Sequence, residues 1–125
     1  MKKIVTSSKA PKAIGPYSQA VETNGTLYIS GQLAIDPQTG KLVEGGIKEQ
    51  TKQALKNIEA ILQEAGYSKD DVVKSTVLLS DIENFAAMNE VYAQFYNQNP
   101  PARAAYQVAK LPLGGLVEIE TIAVK

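Results

Sequence analysis

Arg103 is the one arginine in a chain whose other twelve basic residues are lysines. It sits in Pro101-Ala102-Arg103, where a proline-punctuated loop feeds a strand-like stretch from Ala104 to Ala109. A lysine offers a solvated point charge. An arginine offers a planar, permanently charged fork that matches a carboxylate or phosphate through two parallel hydrogen bonds. Two roles fit this position, an anchor for a small anion or one half of a structural salt bridge, and chance composition is the remaining reading.

Glu118 and Glu120 lie two apart in a strand-like segment, so their side chains share one face. Like charges so placed repel, and burial would raise one carboxyl toward the range in which it exchanges protons near neutral pH. A solvent-facing strand edge with two ordinary glutamates is the other reading. Tyr17, after Gly15-Pro16, puts a phenol at a strand start, where it can serve a site or simply pack with its hydroxyl in water. Ser30-Gly31 can present a hydroxyl and an unobstructed N–H, or form a plain turn. Asn89 falls on the less apolar side of a helical pattern. Gly114-Gly115 reads as a turn, because no phosphate-loop framework surrounds it.

Cysteine and histidine are both absent. Thiolate nucleophiles, serine–histidine triads, disulfides and the usual transition-metal sites are thereby excluded. Chemistry must come from carboxylates, hydroxyls, lysine, arginine, backbone groups or water. The 13 basic and 13 acidic residues cancel and the lysines are scattered, so no nucleic-acid footprint is visible. No apolar run reaches the ~18 residues of a membrane span, and Met1-Lys2-Lys3 is not followed by a signal-peptide core. A cytoplasmic location is expected.

These residues need a scaffold, and 125 residues are enough for a single domain, residues 1–125, with a real core. Strands are expected over Lys3 to Thr6, Tyr17 to Glu22 and Thr26 to Ser30, with Asn24-Gly25 as the hairpin turn and Gly31 ending the third strand. Apolar or small residues at 47, 51, 54, 55, 58, 61, 62 and 65 predict an amphipathic helix closed by Gly66. Val72 to Leu79 reads as a buried strand. Phe85, Met88, Val91, Tyr92 and Phe95 mark a second helix capped by Ser80 or Asp81. Strands Arg103 to Ala109 and Val117 to Val124 flank the Leu111–Gly115 turn. The order βββαβαββ predicts an α+β fold, one mixed sheet with both helices on one face. The other face would be bare, with Leu33, Ile35, Val77, Leu79, Val108 and Ile122 as its candidates. Self-association would cover it, and clefts between subunits would be natural ligand sites.

Four separated blocks resemble the Rid family, also called the YjgF family of reactive imine deaminases. They are Ala13–Ala20, Ile29-Ser30-Gly31-Gln32, Phe85–Asn89, and Pro101-Ala102-Arg103 with Ala109–Pro112 and Val117–Glu120. The resemblance spans essentially the whole chain. It implies a chorismate-mutase-like protomer in a homotrimer with sites between subunits. It implies hydrolysis of 2-imino or 2-enamino acids such as 2-iminobutanoate and 2-iminopropanoate to 2-oxo acids and ammonia, without cofactor or metal. On this sequence Arg103 would grip the substrate carboxylate and Glu118 would orient or activate water. Tyr17, Ser30, Gly31, Asn89 and the backbone at Ala105 would line the pocket. Many members of the imine-deaminating subgroup have cysteine where this chain has Ala105. That departure keeps a second reading open: a non-catalytic trimer that binds small carboxylates or docks onto a regulator.

Overall fold

The computed structural model describes residues 1–125. Asn24 and Gly25 both take positive φ (50° and 76°), and the chain reverses there from strand β2 (Ala20–Thr23) into β3 (Thr26–Leu33). With β1 (Lys3–Val5), α1 (Gly46–Glu64), β4 (Val72–Leu79), α2 (Phe85–Phe95), β5 (Ala102–Gln107) and β6 (Val117–Val124), the order is the expected βββαβαββ. The six strands form one sheet in the order β1-β2-β3-β6-β4-β5. Only β4 and β5 are parallel, as the crossover through α2 allows; the other neighbours are antiparallel. The sheet is mixed and the fold is α+β.

Helix α1 exists because its apolar stripe has something to cover. Ala54, Leu55, Ile58, Ile61 and Leu62 are almost wholly buried against Leu27, Ile29, Val117 and Ile119 of the sheet. Gly66, at φ 81°, ends the helix in a Schellman motif: Gly66 N–H donates to the Gln63 carbonyl and Tyr67 N–H to that of Leu62. α2 packs beside α1 through Met88, Val91 and Tyr92. Neither helix is long and apolar enough to cross a membrane.

Two expectations need correcting. Val77 and Leu79 do not belong to the bare face: both are fully buried beneath the helices. The strand has apolar pairs at both ends, Val72-Val73 and Leu78-Leu79, so each face carries apolar residues and alternation does not say which side is in. Leu33 and Ile122 do lie on the uncovered face, as cross-strand partners of Glu118 and Tyr28, whereas Ile35 and Val108 fall outside the strands. Nor does Gly31 end β3. The strand runs on to Leu33 through a bulge, in which Ser30 and Gly31 together oppose Glu120 between the pairs Ile29–Thr121 and Gln32–Ile119. Strand ends elsewhere differ by a few residues: β2 begins at Ala20 rather than Tyr17, and β5 ends at Gln107 rather than Ala109.

Candidate active site

The bulge brings Gly31 against the Glu118 side chain. One row across the sheet runs Leu33, Glu118, Leu78, Tyr106, all on the face the helices leave open. Glu118 is therefore flanked by leucines on both neighbouring strands. Burial raises its carboxyl above the ordinary range, and the charge of Glu120, two residues on and on the same face, pushes it further up. The two glutamates share a face, as the spacing predicts, and of the two readings left open for them the half-buried, perturbed one describes Glu118.

A cavity of about 550 Å³ opens over this carboxylate. Tyr17, Ser30, Gly31, Leu33 and Glu118 line it. Pro11–Ile14 and Pro112-Leu113 also form its walls. Ser30 donates its hydroxyl to the Ser18 carbonyl at 2.6 Å, so it meets a ligand chiefly as an acceptor. Tyr17 is half exposed with its ring at the same opening. Gly31 is there for space: a Cβ on it would stand 2.7 Å from Glu118 Oε2 and 2.9 Å from Cδ. The clashing atoms end a flexible side chain, so Gly31→Ala is expected to fold normally while displacing the carboxylate. Thermal melting should change by no more than a few degrees. If Glu118 has the water-activating role that the family resemblance implies, activity should fall roughly 10–100-fold, the scale on which misplacing a reacting group by about 1 Å is felt.

Arg103 is elsewhere. On β5 it pairs laterally with Ser75 of β4, in the row that continues through Thr121 and Ile29 on the helix side of the sheet. Its side chain reaches α2: Nη1 donates to Asn89 Oδ1 at 2.7 Å, and Cζ lies 4.8 Å from the Tyr92 ring centroid and 5.5 Å from that of Phe85. The two ion pairs in the structure join Lys48 to Glu90 and Lys52 to Glu49; Arg103 has no acidic partner. One half of its fork is spent on a neutral amide and the rest is free. Within the protomer, no salt bridge engages this residue.

Ala105 follows on the same face, half buried above the core. Val108 N–H donates inward to the Leu79 carbonyl. Alternation along the strand then turns the N–H and C=O of Ala105 outward, to the open edge of the sheet. Within one protomer the seven site residues thus fall into two groups. Tyr17, Ser30, Gly31 and Glu118 surround the cavity; Asn89, Arg103 and Ala105 lie on the opposite face at the edge strand.

Three buried amides escaped the sequence reading. Gln19 accepts the Ser7 N–H at 2.6 Å and donates to the Ser7 and Pro11 carbonyls, tying down the loop that walls the cavity. Asn57 donates to the carbonyls of Leu33 and Ile35, and Gln50 accepts from Leu116 N–H. Gln50 and Asn57 stand seven apart on the buried stripe of α1, and polar residues inside an apolar stripe were the available signal.

Residues 7–125 match the endoribonuclease L-PSP family. A goat (Capra hircus) protein named 2-iminobutanoate/2-iminopropanoate deaminase is 58% identical over 125 residues, 100% of this chain and 91% of the relative. The Rid-family protein YyfA of Yersinia pestis has 48% identity and a TM-score of 0.96, with 100% of each chain covered. E. coli TdcF, solved with bound serine, has 41% identity and a TM-score of 0.95 over 98% of each chain. Full-length agreement in sequence and in fold settles the descent: the chain belongs to the endoribonuclease L-PSP family, the Rid or YjgF family whose motifs it bears.

Proposed function

We propose that this protein is a cytoplasmic homotrimer that hydrolyses 2-imino and 2-enamino acids, with 2-iminobutanoate and 2-iminopropanoate as substrates. The observation that carries the reading is Arg103: a half-buried guanidinium with no carboxylate partner and part of its fork free. An uncompensated cation held partly out of water is costly, and a small anion removes that cost. The goat relative's name supplies the substrate class, and the serine bound to TdcF is a small molecule with a carboxylate.

The segregation of the two residue groups argues for subunit contact. Arg103 and Glu118 of one protomer are on opposite sides of one sheet, an arrangement that supports a site completed by a neighbour. The uncovered face supports this, since Ile4, Tyr28, Tyr106 and Val124 stand about half exposed on it. Association that buries this face would also bring a neighbour's open β5 edge, with Arg103 and the Ala105 backbone, toward the cavity over Glu118. Sedimentation equilibrium should return three times the protomer mass.

In that composite site Arg103 would hold the substrate carboxylate through its fork and place the imine carbon opposite a water. Glu118 would take a proton from that water as its oxygen bonds to the carbon. The C=N π pair moves to nitrogen, which takes the proton back from Glu118. Transfer of the adduct's hydroxyl proton to the amino group, with Glu118 as relay, then lets the C–N bond break, releasing ammonia and leaving the 2-oxo acid. An enamine enters the same path after protonation at carbon. An imine carbon is already electrophilic, so a positioned water and one carboxylate suffice.

The test couples a threonine dehydratase to semicarbazide trapping of the released imine. Added protein should shorten the imine's lifetime in proportion to its concentration. An unchanged lifetime, together with calorimetric binding of 2-oxobutanoate, would instead favour the carboxylate-binding reading that Ala105 keeps open. The family's endoribonuclease description calls for an RNA arm at low salt, where no cleavage is expected from a chain with zero net charge.

A further inference from the structure

Three residues of α2 touch the Arg103 guanidinium, and they stand at positions i, i+4 and i+7: Phe85, Asn89 and Tyr92. That spacing puts them on a single stripe. Asn89 fixes one nitrogen, and the two rings lie against the guanidinium plane's carbon. The Tyr92 ring is the nearer and is itself immobile, being almost fully buried and tilted against Tyr96 at 4.9 Å between centroids. Its phenol oxygen, by contrast, is buried beside Ser75 and makes no hydrogen bond to Arg103. The useful part of Tyr92 at this place is therefore its π face.

We propose that Tyr92, assisted by Phe85, is a positioning residue that sets the Arg103 fork in the plane a carboxylate needs. An arginine on an edge strand, without an acidic partner, has many rotamers open to it, and each must be given up when the anion binds. An aromatic surface that holds the cation by its quadrupole removes most of that loss in advance and leaves the free N–H groups unspent. A carboxylate partner would hold the fork equally well but would occupy the donors. Aromatic support is the solution compatible with docking.

The inference rests on Arg103 being the carboxylate anchor, and the unique arginine allows the two claims to be tested apart. With one arginine in the chain, a single side-chain Nε–H signal appears in a ¹⁵N spectrum. Tyr92→Leu should remove its ring-current shift and weaken 2-oxobutanoate binding about tenfold by calorimetry, the scale of a partly desolvated cation–π contact. Tyr92→Phe keeps the face and loses only a hydroxyl that does not bond to Arg103, so it should restore affinity to within about twofold of wild type. A merely structural tyrosine would not produce that rescue together with the shift. Should Tyr92→Leu fail to fold, Phe85→Leu, at the less buried ring, should weaken binding about threefold. Wild-type affinity in a folded Tyr92→Leu protein, while Arg103→Ala has lost binding, overturns the positioning role and leaves the anchor intact. A Phe variant as weak as the Leu variant also overturns it. If Arg103→Ala binds 2-oxobutanoate like wild type, the anchor itself is wrong and the positioning role goes with it.

Discussion

Arg103→Ala is expected to lower kcat/KM for 2-iminobutanoate by about 10²–10³-fold. Two charge-assisted hydrogen bonds to a carboxylate contribute roughly 3–4 kcal/mol together, and each 1.4 kcal/mol is a factor of ten. The loss should appear in kcat as well as KM, because the anchored carboxylate also fixes the reacting carbon against water. Arg103→Lys keeps the charge but loses the fork and the flat surface that rests on Phe85 and Tyr92, so it should remain at least tenfold impaired. Stability should change by no more than about 1–2 kcal/mol, since Arg103 has no ion pair to lose and gives up only the Asn89 hydrogen bond and two ring contacts. The semicarbazone assay reads these effects directly: equal imine lifetimes with wild type and Arg103→Ala would remove the anchor from the mechanism.

Glu118→Gln should cost about 10²–10⁴-fold in turnover, the usual contribution of a positioned general base, while 2-oxobutanoate still binds. The pH profile offers a finer test. The carboxylate must be ionised to accept the water's proton, so activity is lost as pH falls through its pKa. Within the protomer, burial and then the Glu120 charge raise that pKa, and a guanidinium brought by a neighbour would pull it back down, so the telling quantity is the shift between variants. Glu120→Gln removes the second cause and should move the limb to lower pH without abolishing activity. Burial, the larger cause, remains. Stability should follow the opposite sense to a salt-bridged carboxylate: a raised folded-state pKa is unfavourable above that pKa and is relieved as pH falls through it. Glu118→Gln should thus melt no lower than wild type at pH 7, and any advantage should vanish in acid. An acid limb unmoved by Glu120→Gln would mean that another group sets it.

Much of the fold was legible in the sequence for local reasons. The α1 stripe needs only a 3.6-residue period, and the Asn24-Gly25 turn needs two residues that tolerate positive φ. β6 ran from Val117 to Val124 as expected because its alternation is unbroken: Val117, Ile119, Thr121 and Ala123 inward, Glu118 and Glu120 outward. β4 failed the same test. Its run of apolar and β-branched residues is compatible with either face, and only the helices packed above Val77 and Leu79 decide. The Ser30-Gly31 bulge was hidden for another reason. A glycine at the end of an apolar run stops a strand or kinks it with equal ease, and the choice belongs to β6, which offers Glu120 alone against two residues.

The site divides along the same line. Residue chemistry alone determined that any activity here must do without thiol, imidazole or disulfide, that a single guanidinium was available, and that two carboxylates shared a strand face. These follow from composition and a period of two, which no packing can alter. Tertiary structure decided that the guanidinium meets Asn89 and two aromatic rings instead of an acid, and that Glu118 is hemmed in by Leu33 and Leu78. It also put the two groups on opposite faces of the sheet. Those outcomes depend on which strands became neighbours and which face the helices covered, and such long-range choices are made by the packing of the whole chain rather than by any segment of it.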